Sequence, residues 1–139
     1  MSFIRWDDRY LTHISKFDEQ HKHLFNLINE LHNGVLACTT LEEEKEITKR
    51  TLTELVSYAQ EHFGAEEDLM QTYSYPQFGE HQNEHEQFCQ RVSELVHDYI
   101  TNPAGLSLDV FLFLRDWITK HVTETDIHYV SFFKEHGVE

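Results

Sequence analysis

The chain has 139 residues, which suits a single domain large enough to bury its own hydrophobic core. Its formal net charge of -14 argues against binding to nucleic acid or to an anionic membrane surface, because both need clustered Lys and Arg side chains. Cys38 and Cys89 form no CxxC motif, and the sequence shows neither a leader pattern nor an apolar run of membrane-spanning length, so we expect a cytoplasmic protein without membrane insertion.

The first 17 residues predict an N-terminal arm that packs on the rest of the chain, because large apolar side chains are too frequent there for a free tail. Asp18 is suited to cap the first helix. His21 follows on the same stripe as the apolar side chains of that helix, so its imidazole is expected to point inward. The apolar positions are spaced by threes and fours: Leu24, Leu27, Ile28, Leu31 and Val35.

A second helix is predicted after Thr40, which forms a capping-box pattern with Glu43. Its inward face again carries polar groups where a core is expected. The positions on this face are Ile47, Leu55, Ala59, His62, Glu66 and Leu69. The third helix, from about Pro76 to Thr101, places two histidines on its apolar stripe, which consists of Phe78, His81, His85, Phe88, Val92, Leu95 and Tyr99.

The segment 102–105 breaks this pattern, and Ser107 can cap a fourth helix. That helix carries Val110, Phe113, Leu114, Trp117, Ile118, His121 and Val122 on one face. Four amphipathic helices with short connections predict an all-α, antiparallel up-down-up-down four-helix bundle, with no strands. We expect residues 1–139 to form one such domain, with residues 1–17 as its arm.

Inward histidines are the feature that points to function. A lone buried histidine is usually just hydrogen-bonded, but here five imidazoles and two carboxylates fall at similar heights if the helices alternate in direction. Burying them without a metal would cost several kcal/mol per unpaired charge, whereas imidazole and carboxylate together suit iron, zinc or copper. Seven ligands are too many for one ion. Two ions bridged by both carboxylates and a solvent-derived oxygen would use all seven and leave one coordination position open.

The motifs resemble those of the hemerythrin family, in particular its single-domain bacterial members, from about Trp6 to Tyr129. The residues that carry the resemblance are Asp18-x-x-His21, His62-Phe63-x-x-Glu66, His81-x-x-x-His85 and His121-x-x-x-x-Asp126. The resemblance implies reversible dioxygen binding, without enzymatic activity, at two iron ions joined by an oxo or hydroxo bridge. It also implies that His81, His85 and His121 bind one iron, that His21 and His62 bind the iron with the open position, and that Glu66 and Asp126 bridge.

Other functions remain open at this stage. A di-iron oxidase or peroxidase of the ferritin-like type normally has a carboxylate-rich site with Glu-x-x-His motifs on two helices, a pattern absent from the core stripes. A sensor of oxygen, nitric oxide or iron is a third reading, although we expect no signalling domain within these 139 residues. The expected partners are dioxygen and an unidentified protein that uses oxygen, and the expected assembly is a monomer or a weak homo-oligomer.

Three further expectations concern the surroundings of the site. His121 and Asp126 are five residues apart, which leaves them about 140° out of phase on a regular helix of about 100° per residue and predicts a π-type distortion between them. The open position is expected to face the fourth helix, where Ile118 and Val122 would form an apolar oxygen pocket with Phe63. Trp117 fits the family pattern beside that pocket. Glu67 is expected to face solvent.

Overall fold

Helices form all the regular secondary structure in the computed structural model, which describes residues 3–101 and 108–139. After a short 3-10 turn at Asp8–Tyr10, the helices are α1 (Ser15–Ala37), α2 (Leu41–Thr72), α3 (Phe78–Thr101), α4 (Leu108–Lys120) and α5 (Ile127–Glu135). A π turn, His121–Asp126, joins α4 and α5 into one continuous helix. In these described ranges, no helix is long and apolar enough to cross a lipid bilayer.

The predicted all-α four-helix bundle is therefore confirmed. Only three residues separate α1 from α2 and only five separate α2 from α3, connections too short for anything but antiparallel neighbours. The predicted interruption of the helical pattern at 102–105 and the predicted N-cap at Ser107 lie outside the described residues. Because the helices alternate in direction, the start of α1 lies beside the end of α2 and the start of α3.

The start of α1 differs from the sequence prediction. The helix begins at Ser15, so Asp18 lies in its first turn instead of capping it, and the arm is shorter than residues 1–17. Asp18 Oδ1 accepts hydrogen bonds from the Thr12 amide (2.7 Å) and hydroxyl (2.8 Å), and Oδ2 accepts one from the His13 amide (3.1 Å). The carboxylate thus fixes the residues that enter the helix. A cap rule based on residue type could not separate these two roles.

The rest of the arm packs on the bundle as expected. Asn29 of α1 holds it through two hydrogen bonds, accepting from the Ile4 amide (2.8 Å) and donating to the Ile4 carbonyl (2.9 Å). The rings of Trp6 and Tyr10 lie 5.3 Å and 4.9 Å from the ring of Phe25. These contacts cover α1 with aromatic side chains.

The start of α2 agrees in part with the predicted capping box. Thr40 Oγ1 accepts a hydrogen bond from the Glu43 amide at 3.2 Å, as predicted for an N-cap. The Glu43 carboxylate reaches the amide of Thr39 at 3.1 Å, one residue before the expected one.

Two apolar clusters occupy the interior, one on each side of a polar layer. The larger cluster fills the body of the bundle and includes Phe63, Phe88, Leu114, Ile118 and Val122. The smaller cluster closes the other end and consists of Ile14, Phe17, Met70, Tyr75, Tyr129 and Phe133. Phe63 of the first cluster and Phe17 of the second both contact the ring of His62. The polar layer between the clusters is thereby shielded from water on both sides.

Candidate metal centre

The polar layer contains seven buried side chains, and they are the seven predicted from the sequence. Each is at most 2% exposed. They come from the start of α1, the end of α2, the start of α3 and the π turn, which the alternating helix directions bring to one height. The seven are His21, His62, Glu66, His81, His85, His121 and Asp126.

All five imidazoles direct Nε2 toward the two carboxylates. The Nε2 atom of His81 lies 2.9 Å from Asp126 Oδ1, and that of His62 lies 3.0 Å from Glu66 Oε1. The Nε2 atom of His85 is 3.5 Å from Glu66 Oε1. The remaining two rings approach Asp126, with distances of 3.1 Å for His21 and 3.0 Å for His121. The donor atoms of all seven side chains therefore converge.

These donor atoms form two groups that share both carboxylates. One group contains three imidazoles, those of His81, His85 and His121, and the other contains two, those of His21 and His62. In each group the donor atoms lie within 4.8 Å of one another. Asp126 connects the groups directly, because its Oδ2 faces His21 whereas its Oδ1 faces His81 and His121. This arrangement suits two cations with carboxylates between them.

Three of the rings are held from outside by a hydrogen bond at Nδ1. His62 donates to Gln20 Oε1 at 2.5 Å, His85 donates to Glu67 Oε2 at 3.0 Å, and His121 donates to Glu84 Oε1 at 3.1 Å. An outer acceptor of this kind fixes the ring orientation and leaves Nε2 as the donor to a metal.

The sequence-based expectation that Glu67 faces solvent was wrong. Its carboxylate binds His85 and also accepts a hydrogen bond from Gln82 Nε2 at 2.9 Å, and only 18% of its side chain is exposed. Glu67 does point away from Glu66 along α2, but α3 packs on that flank and its side chains come within reach. Sequence reasoning also missed Gln20 and Glu84. The sequence gives only a weak indication of their roles, which is that Glu84 directly precedes His85 and Gln20 directly precedes His21.

The predicted π distortion between His121 and Asp126 is confirmed. Residues His121–Asp126 form a π helix whose flanking residues, Lys120 and Ile127, keep right-handed helical backbone angles. The wider turn accommodates one extra residue, and both His121 and Asp126 consequently face the same centre. Thr125, inside the turn, donates its hydroxyl to Glu84 at 3.0 Å from Oε1 and 3.1 Å from Oε2.

Aromatic side chains pack against the imidazoles. The ring of Phe63 stacks on His85 with centroids 3.8 Å apart, and the Trp117 ring stacks on His121 at 4.4 Å. Both therefore lie against the three-imidazole group. Ile118 and Val122 are buried in the same apolar cluster as Phe63. The assignment of these four side chains to an oxygen pocket remains a prediction.

The pKa values of several side chains in the site are shifted by burial and by their neighbours. Burial alone would raise the pKa of Asp126, but the charge of His121 lowers it well below its usual value. Burial and Asp126 would likewise raise the pKa of Glu66, yet the contacts with His62 and His85 lower it overall. Burial lowers the pKa of His121, but the carboxylates, Asp126 first, outweigh it and raise that pKa to about 10. The pKa of His62 is lowered, chiefly by burial.

Protein groups alone leave this layer unsatisfied. The Nε2 atoms of His21, His62 and His81 lie 2.9–3.1 Å from a carboxylate oxygen, yet neither they nor the oxygens of Glu66 and Asp126 have a partner in hydrogen-bond geometry. The Nε2 atoms of His85 and His121 face each other at 3.1 Å. Buried polar groups are normally paired, and lone pairs that converge in this way fit cations at the centre. The donor set, imidazole with carboxylate and no thiolate, suits iron.

Comparison with known proteins places the chain in a family. The sequence profile described as the hemerythrin HHE cation binding domain matches residues 12–132. The chain belongs to the hemerythrin family. This membership agrees with the metal-ligand chemistry of the buried layer and implies a non-haem di-iron centre.

Related hemerythrins cover nearly the whole chain. A bacteriohemerythrin of Methylococcus capsulatus is 29% identical over 91% of this chain and 93% of its own length, and one of Pseudomonas aeruginosa is 32% identical over 94% and 82%. A myohemerythrin of Theromyzon tessulatum is 26% identical over 90% and 89%. A crystal structure of wild-type hemerythrin superimposes with a TM-score of 0.81 at 27% identity, covering 94% of this chain and 97% of that one.

Proposed function

We propose that this hemerythrin binds dioxygen reversibly at a non-haem di-iron centre and acts as an oxygen carrier or store. The observation that supports the proposal is the unequal division of the ligands, three imidazoles in one group and two in the other, with both carboxylates shared. Counting one donor from each residue, the group of His21 and His62 has one protein ligand fewer. The open coordination position would therefore belong to that group.

Each residue has a distinct part in this proposal. His81, His85 and His121 would hold one iron, His21 and His62 would hold the other, and Glu66 and Asp126, which belong to both groups, would be shared between them. When bound, two ferrous ions would supply the electrons for reversible dioxygen binding. The protein contributes fixed ligands and a dry surrounding, since the apolar clusters on both sides of the layer exclude water.

The ligand composition favours a carrier over an oxidase. Ferritin-like di-iron proteins use Glu-x-x-His pairs and a carboxylate-rich site, whereas here five imidazoles accompany two carboxylates. Neutral imidazoles in a closed pocket offer few groups for proton transfer to bound oxygen, and proton transfer is what turnover requires. We infer that the chain has no enzymatic activity of its own.

Mixing the anaerobic, iron-loaded, reduced protein with dioxygen in a stopped-flow instrument tests the function. The expected result is about two irons per chain and a visible absorption band that appears on mixing and disappears when oxygen is removed under argon. The chelator-treated, metal-free protein is the control. Immediate irreversible oxidation, or continuous oxygen consumption in the presence of a reductant, would favour an enzyme instead.

A further inference from the structure

The π turn His121–Asp126 is held by contacts from a second helix as well as by its own backbone. A π turn is a rare conformation that widens the helix, and it occurs here in a continuous helix whose flanking residues are ordinary α-helix. The extra residue brings His121 and Asp126 to the same point. If the turn relaxed to a regular helix, these two side chains would diverge by more than a quarter turn.

Glu84 of α3 contacts the π turn at two places with a single carboxylate. Its Oε1 accepts from His121 Nδ1 at 3.1 Å, at the first residue of the turn. Both of its oxygens accept from the Thr125 hydroxyl, at 3.0 Å and 3.1 Å, one residue before the turn ends. These bonds join residues 37 and 41 positions apart in sequence, so they tie the turn to a different helix.

We propose that Glu84 is a positioning residue that sets the register of the π turn and, through it, the relative placement of His121 and Asp126. The proposal rests on the di-iron function only in that these two residues are taken as metal ligands. Both contacts are made by protein side chains alone, so the Glu84 carboxylate can hold the two ends of the turn without the help of an ion. Neither Glu84 nor Thr125 contacts the convergent donor atoms themselves.

The chain provides a matched pair of threonines to test this. Thr125→Val removes the hydroxyl that bonds to Glu84, while Thr123→Val removes a hydroxyl of the same turn that bonds only to the Thr119 carbonyl of its own helix, at 2.7 Å. Thr125→Ser restores the hydroxyl and serves as the rescue. Both threonines are partly exposed, so neither change leaves a buried cavity.

The first measurement is amide hydrogen exchange in the metal-free protein. Loss of a hydrogen bond to a charged group is expected to speed exchange in residues 121–127 of Thr125→Val by roughly tenfold or more, with a smaller change in the other helices. Thr125→Ser and Thr123→Val should behave like the unmodified chain. A structural effect unrelated to the turn would instead speed exchange throughout the bundle.

The second measurement is ferrous iron affinity, by anaerobic competition with a chelator. We expect Thr125→Val to weaken binding about tenfold, the lower end for loss of an outer partner, and Glu84→Ala to weaken it further because the His121 bond is lost as well. Glu84→Gln retains an acceptor oxygen and should be intermediate.

Two results would overturn the proposal. One is that Thr125→Val changes neither amide exchange nor iron affinity. The other is that Thr123→Val changes exchange and affinity as much as Thr125→Val does. If Glu84→Ala does not fold, the threonine variants still decide. If the unmodified chain binds no iron, the proposed function fails. Amide hydrogen exchange in the metal-free chain still tests whether Glu84 holds the π turn.

Discussion

Glu66, like Asp126, contacts both ligand groups, and the protein satisfies neither of its oxygens. Its Oε1 lies 3.0 Å from His62 Nε2 and 3.5 Å from His85 Nε2. Both oxygens are fully buried without a hydrogen-bond partner. A carboxylate in this position can bridge two cations and neutralise part of their charge, whereas an amide of the same shape supplies only one weaker donor atom.

We therefore expect Glu66→Gln to lower the iron content from about two per chain to one or less. The measurement is iron by mass spectrometry, relative to protein concentration, after anaerobic loading. Glu61→Gln is the control, because Glu61 is an exposed carboxylate on the same helix. Two tightly held irons in Glu66→Gln would exclude a bridging role for Glu66.

Val122 and Ile118 allow the predicted oxygen pocket to be tested. Both are at most 3% exposed, and Val122 directly follows His121. Val122→Thr nearly keeps the shape of the side chain but adds a hydroxyl that attracts water, and water in an otherwise closed site permits side reactions that leave the iron oxidised. We expect faster autoxidation at unchanged iron content. Ile118→Ala should act in the same direction, with an additional stability loss of about 2–5 kcal/mol from the truncated core.

The measurement is the decay of the visible absorption of the oxygenated protein at matched iron loading. Ile127→Ala is a suitable control, because Ile127 lies in the same continuous helix but is 44% exposed. Equal decay rates in Val122→Thr, Ile118→Ala and the unmodified protein would show that these side chains do not guard the site.

For individual residues, the sequence predicts the side chains that converge at the centre of the site and misses those that bind the imidazoles from outside. Imidazole and carboxylate are conspicuous on an apolar stripe, so His21 or Glu66 can be recognised by helix periodicity alone. Gln20, Glu67 and Glu84 lie on helix flanks, where polar residues are ordinary. Their roles depend on how far α2 and α3 are rotated toward their neighbours, which spacing along one helix does not specify.

The junction between the arm and α1 depends on Asp18. Asp18 is 7% exposed, and its carboxylate receives three hydrogen bonds, from the amides of Thr12 and His13 and from the Thr12 hydroxyl. Asn has nearly the same shape, but its amide nitrogen cannot accept from a backbone amide. Asp18→Asn thus leaves at least one donor unpaired, the partly buried His13 amide when the remaining oxygen keeps both bonds from Thr12.

We expect Asp18→Asn to reduce the free energy of unfolding by about 1–3 kcal/mol, the usual cost of an unsatisfied buried donor. Urea denaturation of the metal-free protein measures this without interference from metal binding. Glu19→Gln, which changes the neighbouring exposed carboxylate, should have little effect. A value for Asp18→Asn that matches the Glu19→Gln control would contradict the role of Asp18 at this junction.

Helix number, order and inward faces follow from the sequence, because apolar periodicity determines which side of each helix is buried. The π turn could be predicted too, since two ligands five residues apart cannot share a face of a regular helix. The start of α1 could not be predicted in this way, because Ile14 occupies the N-cap position and makes no side-chain capping hydrogen bond. The bonds that define this end come from a residue within the helix.

For the molecule as a whole, the metal site connects stability to pH. In the metal-free chain the lowered pKa values of Glu66 and Asp126 contribute stability that is present above about pH 4 and lost as the pH falls. The raised pKa of His121, about 10, acts in the opposite sense. Its contribution is complete below the unfolded value of about 6.5 and is lost as the pH rises toward 10. The metal-free protein should therefore be most stable in mildly acidic solution.

Bound iron should make the protein more stable, relative to the metal-free form, as the pH rises through neutrality. His121 carries a proton at pH 7 in the metal-free chain and must release it to bind, so the apparent iron affinity should rise about tenfold per pH unit for each displaced proton. We expect the difference in urea midpoint between ferrous-loaded and metal-free protein to be positive and to grow from pH 6 to pH 8. Each form should unfold in one transition, as predicted for a single domain of residues 1–139. Glu66→Gln is the control, since it weakens the metal site and should shrink the difference at every pH. A midpoint difference of zero, or one independent of pH, would show that these imidazoles are not the groups through which metal binding stabilises the bundle.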